Sequence, residues 1–269
     1  DDTLEMAETA FLQLLEDDHE ENQFKIELGL GMVYVLYGNL YARRARLIES
    51  RVTDRGASSS ETQAIQTSLA QRDAEYKKAQ GYFKSVLVKK DIPAAKNNLT
   101  ALLQLANIKV IQHDYPEALV YAERYLSEVE RSKNRWVQAT VRFPRDKQIW
   151  EAKLAGAVTK EVEVRDVIAN ILYKLGRLEL AEKELTQVIF LSPERGDAYL
   201  GRGIVRDELG RKEDALGDYK EFMIRAARLD LYHDDPRVLK ATQRIIELEK
   251  ELGLPSSILK PAKVPAPAR

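Results

Sequence analysis

The sequence predicts an all-α protein in which antiparallel helix pairs stack on one another. Composition is the first observation: Gly (13) and Pro (9) are sparse in 269 residues, and charged residues make up 32%, as in helix-rich proteins. Periodicity is the second, since apolar residues recur at helical spacing and no segment alternates as a strand does. The third is a repeat, because KLGRLELAEKEL and ELGRKEDALGDY place Gly176 and Gly210 34 residues apart. Two helices of about 12–15 residues with two short turns fill that interval.

The first part of the chain predicts long helices. Residues 3–17 form one amphipathic helix, and the apolar run IELGLGMVYVLYGNLYA belongs to a second, buried helix with a candidate break at Gly38. That run is shorter than the roughly 18 residues of a membrane span and contains polar residues, so a span is not expected. Ser60 and Gln63 match a capping box, which predicts the start of a third long helix.

Residues that favour turns and helix caps predict where the later helices begin and end. Asp114 predicts the N-cap of a helix with Pro116 and Glu117 in its first turn. The stretch VRFPRD at 141–146 predicts the next break. Later breaks are predicted where a glycine or an Xaa-Pro pair ends a periodic segment: Gly176, Ser192-Pro193, Gly210, Asp235-Pro236 and Gly253.

The repeated segments resemble the tetratricopeptide repeat family. Residues at that family's spacing in 162–195 are Ala169, Leu172, Gly176, Ala181 and Pro193. The corresponding residues in 196–229 are Tyr199, Gly203, Gly210, Ala215 and Tyr219. Weaker matches lie at 99–131, where His113 takes the place of a helix-ending glycine, and at 28–38. The resemblance implies helix pairs stacked in a right-handed superhelix that binds proteins or peptides.

Five segments are expected along the chain. They are an acidic N-terminal helix (1–21), degenerate helix pairs with elongated helices (22–130), a basic and aromatic insert or helix extension (131–161), two clear repeats with a capping helix (162–252) and a Pro-rich disordered tail (253–269). Residues 1–21 hold nine carboxylates and no Lys or Arg, whereas 131–147 hold six basic residues and one acid. These opposite charges suggest self-association as one role of the insert.

The resemblance also implies a concave groove lined by the first helix of each pair. Asn107 and Asn170 each follow a small packing residue, where the family often has an Asn that hydrogen-bonds the backbone of a bound extended peptide. The predicted groove residues are Asn107, Asn170, Tyr173, Lys174, Leu200 and Ile204. The Asn and Lys/Arg clamp that captures chaperone C-terminal carboxylates is not evident, because Arg202 and Arg206 are phased towards neighbouring helices.

The insert is the second candidate surface and contains both tryptophans of the chain. Its predicted partner-binding residues combine aromatic rings with arginine, a combination enriched in interface hot spots: Trp136, Arg142, Phe143, Arg145 and Trp150. The alternative is a structural role, in which two over-long helices pack these rings on each other and turn their charges to water.

Function is predicted as a non-catalytic scaffold or adaptor that binds a protein or peptide partner in the groove and on the insert. A nucleic-acid-binding helical repeat is one alternative; the insert favours it, and the net charge of −1 opposes it. A small-molecule-binding or enzymatic helical protein is another, which would need an enclosed polar pocket.

No catalytic residue, cofactor or metal site is predicted. GLGMVY lacks the third glycine of a dinucleotide-binding loop, the three histidines show no metal-ligand spacing, and the chain has no Cys. We expect His19 and His233 at the surface beside capping acids. The compartment is not assigned: the chain is expected to be cytoplasmic, or an exported or lipid-anchored periplasmic protein whose signal is not in this sequence.

Overall fold

A computed structural model describes residues 2–17, 20–52, 56–89, 98–228 and 235–256. The described residues form ten α-helices and no strand, which confirms the predicted fold class. Most of the predicted tail, His19 and His233 lie outside them. The helices, in chain order, are α1 (Asp2–Asp17), α2 (Glu20–Val52), α3 (Ser59–Val88), α4 (Leu99–Ile111), α5 (Tyr115–Arg142), α6 (Lys147–Lys174), α7 (Leu178–Leu191), α8 (Gly196–Glu208), α9 (Lys212–Arg228) and α10 (Pro236–Glu251).

The chain divides into two compact units, Asp1–Glu128 and Val129–Arg269, and the division falls within α5. In the first unit α1 packs on α2, α2 on α3, and α3 on α4. In the second unit each helix from α6 to α10 packs against the next one along the chain. Packing between sequence neighbours is what stacked helix pairs require.

Glycines in α2 allow close packing against α3. A Cβ on Gly31 would lie 2.5 Å from the Phe83 ring, and one on Gly38 would overlap the Tyr76 ring. Both rings are fully buried. The helix is continuous through Gly38, so the predicted break there is wrong: this glycine makes room for a neighbouring ring and does not turn the chain. The GLGMVY motif likewise lies inside α2 as a packing element.

The N-termini of α3 and α5 are capped by side chains. Ser58 Oγ accepts a hydrogen bond from the N–H of Glu61 at 3.3 Å, and the Glu61 carboxylate accepts one from the N–H of Ser58 at 3.0 Å. This capping box lies two residues before the predicted one at Ser60, because a run of three serines offers several registers. At α5 the predicted N-cap is confirmed, since the Asp114 carboxylate accepts a hydrogen bond from the N–H of Glu117 at 3.3 Å.

Four helices end in the same left-handed turn. The φ angle is positive at Gly176 (70°), Gly210 (75°), Gly253 (66°) and His113 (59°). At each of them two successive N–H groups donate to carbonyl oxygens of the last helical turn at 2.8–3.2 Å, the pattern of a Schellman motif. The predicted glycine turns are therefore confirmed, and His113 does take the glycine's place after α4.

Small residues and an ion-pair network hold α8 between its neighbours. Ala181 and Ala215 are completely buried, as their repeat positions predict. A buried carboxylate, that of Asp218 on α9, accepts hydrogen bonds from Arg202 at 2.9 and 2.7 Å and from Arg206 at 3.0 Å. Both arginines thus point to neighbouring helices, as their helical phase predicts.

The insert consists of the extended ends of α5 and α6, joined by a 3-10 turn at Pro144–Asp146. At its base the buried Glu161 accepts hydrogen bonds from Lys133 at 2.5 Å and from Arg165 at 2.9–3.0 Å. Burial raises the pKa of Glu161, but these two cations outweigh it and hold the pKa below its ordinary value. Charged contacts therefore fix the hairpin where it leaves the helical stack.

Candidate partner-binding sites

A pocket of about 260 Å³ lies between α6 and α8 in the second unit. Its walls are mostly apolar, with Ala169 on one side, Ile204 and Val205 on the other, and Leu185 of α7 at the base. Two helices that are the first members of consecutive pairs therefore enclose one recess, with the second helix of the earlier pair closing it from below.

The recess exists because α8 carries a glycine at its centre. A Cβ on Gly201 would lie 3.3 Å from a methyl group of Leu185, which is tighter than an ordinary contact. Any larger side chain would project into the recess. Gly201 therefore sets its depth, and the sequence pattern gave no signal for this role.

The side chain of Asn170 lies exposed at the rim of the recess. Its carboxamide carries donors and an acceptor, the two functions that a peptide backbone also carries. One turn further along α6, the hydroxyl of Tyr173 donates a hydrogen bond to the carboxylate of Glu208 on α8. That bond, followed by burial, raises the pKa of the Tyr173 hydroxyl. The tyrosine therefore bridges the two helices at this end of the pocket.

Two carboxylates, Asp166 and Asp197, line the opposite end. Asp166 forms an ion pair with Arg195, and Asp197 forms one with Arg237 at 2.7 Å. Burial raises the pKa of Asp166 and outweighs the effect of Arg195. The Nε of Arg195 is buried and has no acceptor among the described residues. This end is thus polar, with its charges largely paired.

The structure brings three of the six predicted groove residues into this pocket: Asn170, Tyr173 and Ile204. Lys174 is exposed at the end of α6 with its ammonium 5.6 Å from the Tyr173 ring. Leu200 packs against the core cluster of α9 and α10. Asn107 is half-buried in α4, in the first unit.

The hairpin tip, residues 136–153, carries the aromatic side chains of the insert. The indole rings of Trp136 and Trp150 stack with their centroids 5.6 Å apart and 13° between their planes. The ring of Phe143 lies 6.2 Å from that of Trp150. The ammonium of Lys153 lies 4.8 Å from both indole centroids, within cation–π range. The rings do pack on each other, as the structural alternative predicts.

The same side chains are not sequestered from water. Both indoles are only half-buried, and Phe143 is 45% exposed. The N–H of Trp150 is buried without an acceptor among the described residues, which costs about 1–3 kcal/mol. Arg142 and Arg145 are exposed. The tip therefore combines ring packing with a solvent-facing surface.

Other kinds of site are not seen in the described ranges. No group of three His, Asp or Glu side chains there could hold a metal ion. Among the described helices, none combines the length and the apolarity that crossing a bilayer requires.

One family model matches part of this chain, and one solved structure shares its fold. The family model for the tetratricopeptide repeat matches residues 167–228, and no curated protein matches the chain. The solved structure of the assembly chaperone of RpL4 (Acl4) is 15% identical, covers 93% of this chain and 86% of its own, and has a TM-score of 0.51.

Two further structures are more distant. YrrB, described as a TPR protein with an unusual peptide-binding site, is 17% identical over 87% of this chain and 98% of its own, with a TM-score of 0.30. Yeast Tom70 is 13% identical over 89% of this chain and 66% of its own, with a TM-score of 0.29. The matched residues 167–228 include α7, α8 and α9 with their turns, so this part of the chain matches the tetratricopeptide repeat.

Proposed function

We propose that this chain is a non-catalytic scaffold that binds an extended segment of a protein partner in the pocket between α6 and α8. The observation that carries the proposal is the apolar recess beside the exposed carboxamide of Asn170. The carboxamide can exchange hydrogen bonds with a peptide backbone, and the recess accepts an apolar side chain of the same segment.

The size of the recess favours a side chain over a small molecule. Small-molecule pockets usually enclose about 300–1,000 Å³, and this one holds about 260 Å³. A side chain that enters it contacts Leu185, Ile204 and Val205, and burying apolar surface contributes about 25 cal/mol per Å². The backbone of the segment then lies over the rim, where Asn170 can donate to a carbonyl and accept from an N–H.

A peptide-display selection against the full chain tests the proposal. Selected peptides are titrated by fluorescence anisotropy against the wild type, Asn170→Ala and Ile204→Glu. We expect each substitution to weaken binding about tenfold or more, since one hydrogen bond or one apolar contact accounts for roughly 1.4 kcal/mol. Both side chains are exposed, so the melting temperature should stay unchanged.

Gln187→Ala is the matched control, because Gln187 is exposed on α7 and is not among the pocket residues. It should leave the affinity unchanged. Selected peptides that bind Asn170→Ala and Ile204→Glu as tightly as the wild type would place their site elsewhere and overturn the proposal.

A further inference from the structure

The hairpin tip presents an apolar patch to solvent. Val141 is 80% exposed, Ile149 is 55% exposed, and the Phe143 ring lies beside them in sequence at the turn. Exposed apolar side chains gathered at one turn of a folded protein make that turn a candidate interaction site. The patch is separate from the pocket between α6 and α8, so the two surfaces can be tested independently.

Cationic side chains lie close to this patch in sequence, and two of them have no carboxylate partner among the described residues. Neither Arg142 nor Arg145 forms an ion pair with any described residue, and both are exposed. The guanidinium of Arg142 lies 5.5 Å from the Phe143 ring, and that of Arg135 lies 5.8 Å from the Trp136 ring. Residues 136–153 hold four basic residues and two acids. The charge complement of the tip is therefore an acidic surface.

The N–H of Trp150 adds a polar group that needs an acceptor. It is buried and has none among the described residues, whereas most buried donors in proteins are paired. The side chains next to it in sequence, at Ile149 and Glu151, are exposed. A carboxylate that displaced exposed side chains at the tip would supply the missing hydrogen bond.

We infer that the hairpin tip is a docking surface for an acidic protein segment that also carries apolar side chains. The carboxylates of the segment pair with Arg142 and Arg145. Its apolar side chains cover Val141, Phe143 and Ile149. Aromatic rings flanked by arginine are the side chains that contribute most at interfaces.

A protein segment fits this surface better than a nucleic acid. Base stacking needs free aromatic faces, but each indole already uses one face on the other and both lie beside Lys153. Acidic side chains also interrupt the cations: Glu151 forms an ion pair with Lys147 at 3.5 Å. These carboxylates would repel the continuous phosphate backbone of a nucleic acid.

The intrinsic fluorescence of the full chain provides the test, because its two tryptophans both lie in the tip. The probes lack Trp: a synthetic peptide of alternating Glu and Leu pairs, its copy with Lys in place of Glu, and single-stranded polyuridylate. We expect the Glu–Leu peptide to shift the emission to shorter wavelength and to saturate. Its affinity should fall about tenfold or more in R142E/R145E, chiefly at low salt, because the exposed charges are screened by ions.

The control variant is K183E/K240E, which makes the same change in net charge at two exposed lysines of α7 and α10. It should bind the Glu–Leu peptide like the wild type. Equal binding of the Lys copy, or tighter binding of polyuridylate, would overturn the inference. So would concentration-dependent dimerisation that R142E/R145E abolishes while the peptide has no effect, since a second copy would then be the occupant.

Discussion

The carboxylate of Asp218 accepts two hydrogen bonds from the guanidinium of Arg202, at 2.9 and 2.7 Å, with its side chain only 4% exposed. Arg206 donates a third at 3.0 Å. One carboxylate on α9 thus contacts two cations on α8, and Arg206 forms a second ion pair with Glu182 of α7 at 2.7 Å. The arrangement links the two helices of a single repeat through charge as well as through small-residue packing.

Replacing Asp218 with Asn should destabilise the protein by about 2–3 kcal/mol, because the partly buried guanidinium of Arg202 loses its carboxylate partner and that of Arg206 keeps only Glu182. Urea denaturation of the full chain, followed by circular dichroism, measures the change. Glu213→Gln on the same helix is the control, since Glu213 is exposed. Equal effects of the two substitutions would show that Asp218 does not compensate the arginines.

Acid stability should depend on Glu161. Burial opposes its ionisation, but Lys133 and Arg165 hold the pKa of Glu161 below its ordinary value of 4.5. A lowered pKa stabilises the folded state above pH 4.5, and this contribution is lost as the pH falls towards the pKa of the folded state. The difference in unfolding free energy between the wild type and Glu161→Gln should therefore be large at pH 7 and shrink below pH 4.5.

The control for that experiment is Glu163→Gln, whose side chain is exposed on the same helix. The difference in unfolding free energy between Glu163→Gln and the wild type should be small at every pH. A difference for Glu161→Gln that stays constant from pH 7 to the acid limit would contradict the assigned pKa shift.

Two glycine-to-alanine substitutions should change the stability of the protein in opposite directions. A Cβ on Gly38 overlaps the buried Tyr76 ring, whereas a Cβ on Gly81 of α3 meets no atom within 4 Å. Gly38→Ala should cost about 1–3 kcal/mol through overpacking. Gly81→Ala should stabilise by about 0.5–1 kcal/mol, because Ala has the higher helix propensity. Thermal melts that move in the same direction for both variants would contradict the packing of α2 on α3.

The turn at Gly176 should tolerate Asn better than Val. Gly176 has a φ of 70°, and a Cβ there would meet no atom within 4 Å, so the cost of substitution is backbone strain alone. Gly176→Val should lose about 1–3 kcal/mol, and Gly176→Asn clearly less, because Asn visits the left-handed region more readily. Equal losses in denaturant titrations would mean that something other than φ limits this position.

Glycine shows which parts of the fold the sequence could predict. The turns at Gly176 and Gly210 were predictable, because a positive φ restricts the residue type and the repeat places that demand every 34 residues. Gly38 was misjudged, since a helical glycine facing a ring and a turn glycine look alike in sequence. The ring in question, Tyr76, lies 38 residues away in the chain, and no local pattern connects the two.

The candidate pocket was predictable in part for a similar reason. The resemblance to the tetratricopeptide repeat family pointed to Asn170, Tyr173 and Ile204, which lie on the first helices of two successive pairs. It did not separate them from Leu200, which packs on the C-terminal core. It also did not point to Gly201. The depth of the recess depends on the absence of a side chain at this glycine and on α7, the helix that closes the base.

Methyl NMR with a selected peptide locates the proposed binding site most directly. On titration of the full chain we predict that the methyl signals of Leu185, Ile204 and Val205 shift, because these groups line the recess between α6 and α8. The methyls of Leu180 and Ile246, exposed on α7 and α10 and not among the pocket residues, should stay in place. Shifts at Leu180 and Ile246 with none at the pocket methyls would contradict the proposal that this recess binds the partner.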